Sequence, residues 1–232
     1  MRQMPEQQPS PPPEDPPLSP EESLTLIKAG QTDQVRRRSL NAALLFAVWG
    51  VTYLISFGAW YLARQHVLPM LAAVVPTGVL FVGSLIFSSW HGPHSSQGVR
   101  GPSQVVGAMY GISWPISYFA LAAVNLGLER TGLTEDQVTL LWSGTTLLLA
   151  GALYLAGGAV FHSWPYYAMG GWTMIAAAGS VLAGIPGNFL VLSLAGGGGF
   201  LAQAAYYAWR RSRPSDPDHV CTGPVGMDVP AL

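Results

Sequence analysis

Apolar residues fall in long runs along this chain, and polar residues are confined to short gaps between them. From Leu40 to Trp209 only six residues are Asp, Glu, Lys or Arg: Arg64, Arg100, Glu129, Arg130, Glu135 and Asp136. All six lie in gaps. Six runs result, near 40–63, 69–90, 104–127, 138–161, 166–185 and 189–209. Each holds about twenty residues or more, enough at about 1.5 Å per residue to cross a hydrocarbon core of about 30 Å. Almost nothing polar separates the last two. A single helix over both would be roughly 66 Å long, twice what a bilayer accepts. A turn is therefore expected at Pro186-Gly187-Asn188, with a re-entrant pair as the alternative. The pattern predicts an all-α fold, a polytopic transmembrane helical bundle of about six spans over 40–209.

The flanks read differently. Residues 1–18 include seven prolines among Gln, Ser and Glu. Such a stretch cannot bury enough apolar surface to offset its ordering entropy, so a disordered Pro-rich tail is expected. Ser19-Pro20-Glu21-Glu22 reads as a helix start: a capping Ser, a Pro at the first helical position and a Glu that completes a capping box. A short amphipathic, juxtamembrane helix is expected over 19–39. Residues 210–232 read as a polar disordered tail. The first forty residues contain no apolar core, so no signal peptide is expected.

Charge placement sets the expected orientation. Lys28 and Arg36 to Arg38 precede the first span, and Arg210, Arg211 and Arg213 follow the last. Positive charge favours the cytoplasmic side. An even number of spans puts both clusters there together with Arg100, and leaves Arg64 and Arg130 outside. The expectation is N-in and C-in. Trp60, Trp90, Trp142, Trp164 and Trp209 fall near span ends, where an indole can face both headgroup and hydrocarbon. Thr134, followed by Glu135, Asp136 and Gln137, reads as the N-cap of the fourth span.

Composition excludes more than it selects. Charged residues make up 10% of the chain, against about 25% in a soluble domain. A net charge of −1 creates no field that calls for nucleic acid. The lone Cys221 can form neither an internal disulfide nor a zinc site, and His91 and His94 lack a third metal ligand. No ionisable side chain lies inside a span. Such groups at that depth usually mark proton or ion pathways, so the chain does not read as a proton-driven pump. No P-loop, nucleophile elbow or metalloprotease motif is present, and no catalytic residue, metal or cofactor is expected. The polar residues within the spans are small: Thr52, Ser56, Ser113, Ser117, Asn125, Ser143, Thr145, Thr146, Thr173, Ser193 and Gln203. They suit hydrogen bonds between helices, each worth about 1 kcal/mol.

Two spans carry irregularities. Trp114-Pro115 lies in the third, where proline removes a backbone donor and bends a helix. Gly196, Gly197, Gly198 and Gly199 lie in the sixth. They permit either very close helix approach or an unwound segment with exposed carbonyls. Pro115, Asn125 and these four glycines are the candidate hinge or path-lining residues. Gly107 and Gly111 form a GxxxG pair suited to close approach in the third span.

The chain also resembles itself. Trp49 to Ala63 and Trp142 to Ala156 match at eight of fifteen positions. After a three-residue insertion, Pro69, Thr77, Gly83 and Ser84 align with Pro165, Thr173, Gly179 and Ser180. Three spans per half would make this an inverted repeat, a design that recurs in secondary transporters. The competing explanation is chance similarity between two Leu/Ala/Gly-rich helices.

Several stretches resemble a group of uncharacterised actinobacterial multi-pass membrane proteins, sometimes loosely labelled transporters. They are Pro20 to Leu24, Arg100 to Ser103, Gly107 to Gly111, Trp114-Pro115, Pro186 to Leu190 and the glycine run. The resemblance covers about residues 20–212, implies a bacterial cell-membrane setting and supplies no substrate or catalytic residue. The leading expectation is a permease for a small neutral or amphipathic solute. The alternative is a scaffold, sensor or accessory subunit. The partners expected are the lipid bilayer and, for an accessory role, a cytoplasmic protein or another membrane subunit.

Overall fold

A computed structural model describes residues 19–95 and 102–212. Every regular element among them is helical: α1 Pro20–Arg64, α2 Met70–Ser95, α3 Pro102–Glu129, α4 Glu135–Val160, α5 Trp164–Leu182, α6 Gly184–Val191, a π-helical turn Leu192–Gly197, and α7 Gly198–Ser212. The expectations for the tails 1–18 and 213–232, including Cys221, and for Arg100 lie outside the described residues. So do the side chains of Lys28, Arg36 to Arg38, His94 and Arg211.

Five helical stretches are long and apolar enough to cross a membrane: Leu40–Arg64, Met70–His91, Val105–Glu129, Glu135–Val160 and Gly184–Arg210. They are compatible with a multi-pass membrane protein. The run expected near 166–185 forms α5, with 19 residues and a length of about 28 Å, but it is not one of the five. Trp164, Pro165, Tyr166, Tyr167 and Trp172 dilute its aliphatic character.

The chain divides into two units, residues 1–35 and 36–232. In the first, the helix opens with a reciprocal capping box. The Ser19 backbone N–H donates to Glu22 Oε2 at 2.9 Å, and the Glu22 N–H donates to Ser19 Oγ at 3.2 Å. The bond from the Ser19 backbone, then that with its hydroxyl, holds the Glu22 carboxyl below its ordinary range.

In the second unit the same logic fixes the start of α4. Thr134 caps α4, exchanging bonds with Gln137 in a full capping box. The turns after α1 and α4 are copies of one another. His66 and His162 both take positive φ, at 60° and 50°. In each turn the His N–H reaches back three residues and the next N–H reaches back five: His66 to Ala63 and Val67 to Leu62, His162 to Ala159 and Ser163 to Gly158. This is a Schellman closure with the left-handed residue at the C′ position. Both turns read His-x-x-Pro, and the proline, Pro69 or Pro165, opens the next helix.

The turn between α5 and α6 lies at Gly184-Ile185, directly before the expected Pro186-Gly187-Asn188. Gly184 takes φ +62°, and Ile185 is extended at φ −90°, ψ 133°. A residue before proline is pushed out of the helical region by the pyrrolidine ring, so the chain reverses at Gly184-Ile185 and Pro186 can start the new helix. Asn188 then ties the turn down. Fully buried, its Nδ2 donates to the Ser180 carbonyl and to Ser143 Oγ, each at 3.1 Å.

Neighbouring rods run antiparallel. α1 and α2 meet along a polar seam: His91 with Asn41, Trp49 Nε1 to Ser88, Thr52 with Ser84 at 2.7 Å, and Trp60 Nε1 to Thr77. Trp60, four residues from the end of its helix, also stacks on Phe189. α4 and α5 meet where Cβ atoms are missing. Gly144, Gly151 and Gly158 recur every seven residues. A Cβ on Gly158 would lie 2.5 Å from the Tyr167 backbone nitrogen, and one on Gly170 would lie 2.5 Å from that of Leu155. A seven-residue spacing is the seam of a left-handed helix pair. Gly107 and Gly111 do the opposite of what their motif suggested, since an added Cβ at either meets nothing within 4 Å.

The α4–α5 contact should therefore reject side chains selectively. Gly170→Val should cost about 1–3 kcal/mol and lower the melting temperature of the detergent-purified protein. Gly171→Val, with open space beside it, should stay within about 0.5 kcal/mol of the parent.

Candidate functional site

The six candidate residues do not assemble into one cluster. Pro115 lies on the exposed side of α3, which continues through it. Asn125 is fully buried, and its Nδ2 donates to Thr145 Oγ1 on α4 at 2.9 Å. Its Oδ1 has no partner among the described residues. The glycine run is helical rather than unwound: its first two residues end the π-helical turn and its last two begin α7.

Close approach accounts for three of the four glycines. A Cβ on Gly197 would lie 2.8 Å from the Leu54 backbone nitrogen and 3.0 Å from the Gly50 carbonyl on α1. Gly196 faces the Tyr53 ring at 3.1 Å, and Gly199 faces the Trp172 indole; Gly198 has nothing within 4 Å. The wide turn is held from both sides. Trp172 Nε1 donates to the Ala195 carbonyl, and Ser193 Oγ donates to the Leu54 carbonyl, both at 2.9 Å. A π-turn disturbs the regular carbonyl ladder, and the indole supplies a donor there.

The ring that Gly196 admits belongs to a large aromatic assembly at mid-height of the bundle. One face comes from α1 and α2: Trp49, Tyr53, Phe57 and Phe81, with Phe81 in contact with the other three. A second comes from α3 and α4: Trp114 stacks on Tyr118 and meets Tyr154 edge-on. Phe46 and Phe200 join the two, Phe200 touching Tyr53 and Tyr154. Among the described residues no ring pair links Trp49, Phe57 or Phe81 directly to Trp114 or Tyr118.

Two hydroxyls of this assembly bond backbone carbonyls: Tyr118 Oη donates to the Thr146 carbonyl at 3.2 Å, and Tyr110 Oη to the Leu153 carbonyl at 2.8 Å. Tyr53 is buried, whereas Trp49, Phe57, Phe81, Trp114, Tyr118 and Tyr154 are half-buried.

Sequence reasoning missed this assembly because its rings are far apart in the chain, Phe46 and Phe200 by 154 residues, and none sits in a motif. The one local signal is the spacing Trp49, Tyr53, Phe57, which puts three rings on one helix face. His91, weighed as a metal ligand, bonds Asn41 at 3.0 Å and stacks on Phe87. No protein-family model, curated protein or solved structure matches the chain.

The run predicts a sharp contrast between neighbours. Gly197→Ala should destabilise the purified protein by about 1–3 kcal/mol through its clash with the α1 backbone. Gly198→Ala should leave stability unchanged or raise it by up to about 1 kcal/mol through helix propensity. Detergent melting curves of the two variants distinguish them.

Proposed function

We propose that this chain is a six-span permease of the bacterial cell membrane, N-in and C-in, for a small neutral or amphipathic solute. The observation that carries this reading is the pair of His-x-x-Pro turns. They are equivalent under the alignment of Pro69 with Pro165, and they close with the same hydrogen bonds. They lie at opposite ends of the bundle, because α1 and α4 run antiparallel: Arg64 at the end of α1 bonds Asp136 at the start of α4 at 3.2 Å, and Phe46 near the other end meets Tyr154. Equivalent hairpins in opposite directions support the reading of an inverted repeat, and such repeats in transporters meet around a site near the midplane.

The same symmetry supports six spans. α5 is the counterpart of α2, and it lies antiparallel to α4 from Gly144–Val181 to Gly158–Tyr167. A neutral solute follows from the absence of ionisable residues in the runs. An ion taken into such an interior without a partner costs several kcal/mol or more.

Two experiments test the reading. Reporters fused at Gly132 and at His94 should report outside and inside, respectively; both on one side contradicts the topology. Proteoliposomes should show saturable flux of a neutral solute from a broad panel, reduced by Gly197→Leu. Absence of flux across the panel, together with a partner that co-purifies from native membranes, would instead make the chain an accessory subunit.

A further inference from the structure

We propose that the turn between α1 and α2 holds a phospholipid, with its headgroup phosphate on Arg64 and an acyl chain along the first turns of α2. The inference goes beyond the permease reading and does not rest on it. It requires only that these helices lie in a bilayer.

Two adjoining pockets carry the argument. The first is an open pocket of about 550 Å³ whose lining includes Arg64, His66, Val67, Leu68, Pro69 and Met70. The second, of about 400 Å³, is lined by Pro69, Leu71, Ala72, Val75 and Pro76. Both fall in the range of about 300–1,000 Å³ common for ligand pockets. They share Pro69, so one guest can occupy both. Their chemistry differs. The first holds a guanidinium and an imidazole, and the second has only apolar side chains. A guest with a polar head and an apolar tail matches that order.

Arg64 has donors left over. Asp136 Oδ1 accepts one N–H, from Nη2 at 3.2 Å. Arg64 Nε is buried and has no partner among the described residues. A guanidinium carries several N–H donors in a planar fork, and its charge-assisted bonds to phosphate are among the strong ones. Met70 opens α2 at the pocket wall, and a helix start adds unpaired N–H groups and the positive end of its dipole. These donors together suit an oxyanion. The turn itself does not need the arginine, because its copy after α4 closes in the same way with Val160 at the corresponding position.

The depth also fits. Arg64 ends one membrane-length stretch and Met70 begins the next, so the first pocket lies at the level of headgroups. From Met70 to Pro76 the second descends about 9 Å along its span. Leu71 is 70% exposed and Val75 52%, open to an acyl chain. Free phosphate would satisfy the donors and leave the apolar groove empty, which favours the lipid.

Native mass spectrometry of the full chain in detergent measures binding of dioleoylphosphatidylglycerol, with dioleoylglycerol as the same chains without phosphate. One saturable phosphatidylglycerol is expected, bound about 10-fold tighter than dioleoylglycerol. Arg64→Gln should weaken it about 10-fold, the loss of a charge-assisted hydrogen bond. Asp136→Asn breaks the same ion pair but keeps the guanidinium, so it should leave binding unchanged or stronger. His66 sits at φ 60°, which glycine accepts without strain, and His66→Gly should weaken binding about 3-fold. The proposal is overturned if Arg64→Gln binds like the parent or, where that variant does not fold, if His66→Gly does. It is also overturned if Asp136→Asn weakens binding as much as Arg64→Gln, if dioleoylglycerol binds as tightly as phosphatidylglycerol, or if equimolar inorganic phosphate displaces the lipid.

Discussion

Helices in this bundle come together where a Cβ is missing, and most of the architecture depends on that. Gly50 and Gly197 let α1 and the end of the π-helical turn approach until backbone meets backbone. Gly151, Gly158 and Gly170 do the same for α4 and α5. In a bilayer the hydrophobic effect does not drive helices together, because lipid tails are as apolar as leucine. Close contact over many atoms is then the main attraction available, and each contact contributes only about 0.1–0.2 kcal/mol. A side chain that holds two axes apart removes many of these contacts at once.

Polar groups reinforce the same contacts. Thr52 with Ser84, Asn125 with Thr145, Asn188 with Ser143 and Ser193 with the Leu54 carbonyl each cross from one rod to another. Others serve their own helix: Thr173 bonds the Met169 carbonyl and Ser180 that of Ala177. The bundle is thus joined by small hydroxyls and amides rather than by charge. The ion pair of Arg64 with Asp136 sits at one end, and its side chains are 29% and 59% exposed. At that exposure it adds little stability. Its interest is positional, because it ties the end of α1 to the start of α4.

Much of this was legible in the sequence, and the remainder has physical reasons for being hidden. Apolar runs gave the rods because length and polarity are local properties. The caps at Ser19 and Thr134 were legible because a capping box spans only four residues. The glycine run signalled close approach or unwinding, and the contact with α1 decides for close approach. Gly107 and Gly111 misled because a GxxxG spacing says two helices could touch, not that a partner is present on that side. Gly144, Gly151 and Gly158 were overlooked because a seven-residue spacing is diffuse in a glycine-rich chain. The reversal at Gly184 was placed a few residues late. Proline was taken as the turn, whereas its effect falls on Ile185 before it. The aromatic assembly needed the fold itself, since Tyr53, Trp114, Tyr154 and Phe200 come from four different helices.

The central claim is that the first span and the last lie backbone to backbone through their glycines. Site-directed disulfide trapping tests it most directly. In a Cys221→Ser background, Gly50→Cys and Leu201→Cys are combined and oxidised in native membranes. Gly50 faces Leu201 so closely that an added Cβ would lie 2.8 Å from the leucine Cγ. The account predicts rapid bond formation within one chain, seen as a monomer whose fragments stay joined after cleavage between the two sites until reductant is added. Fragments that separate without reductant, or disulfides that form only between chains, would contradict it.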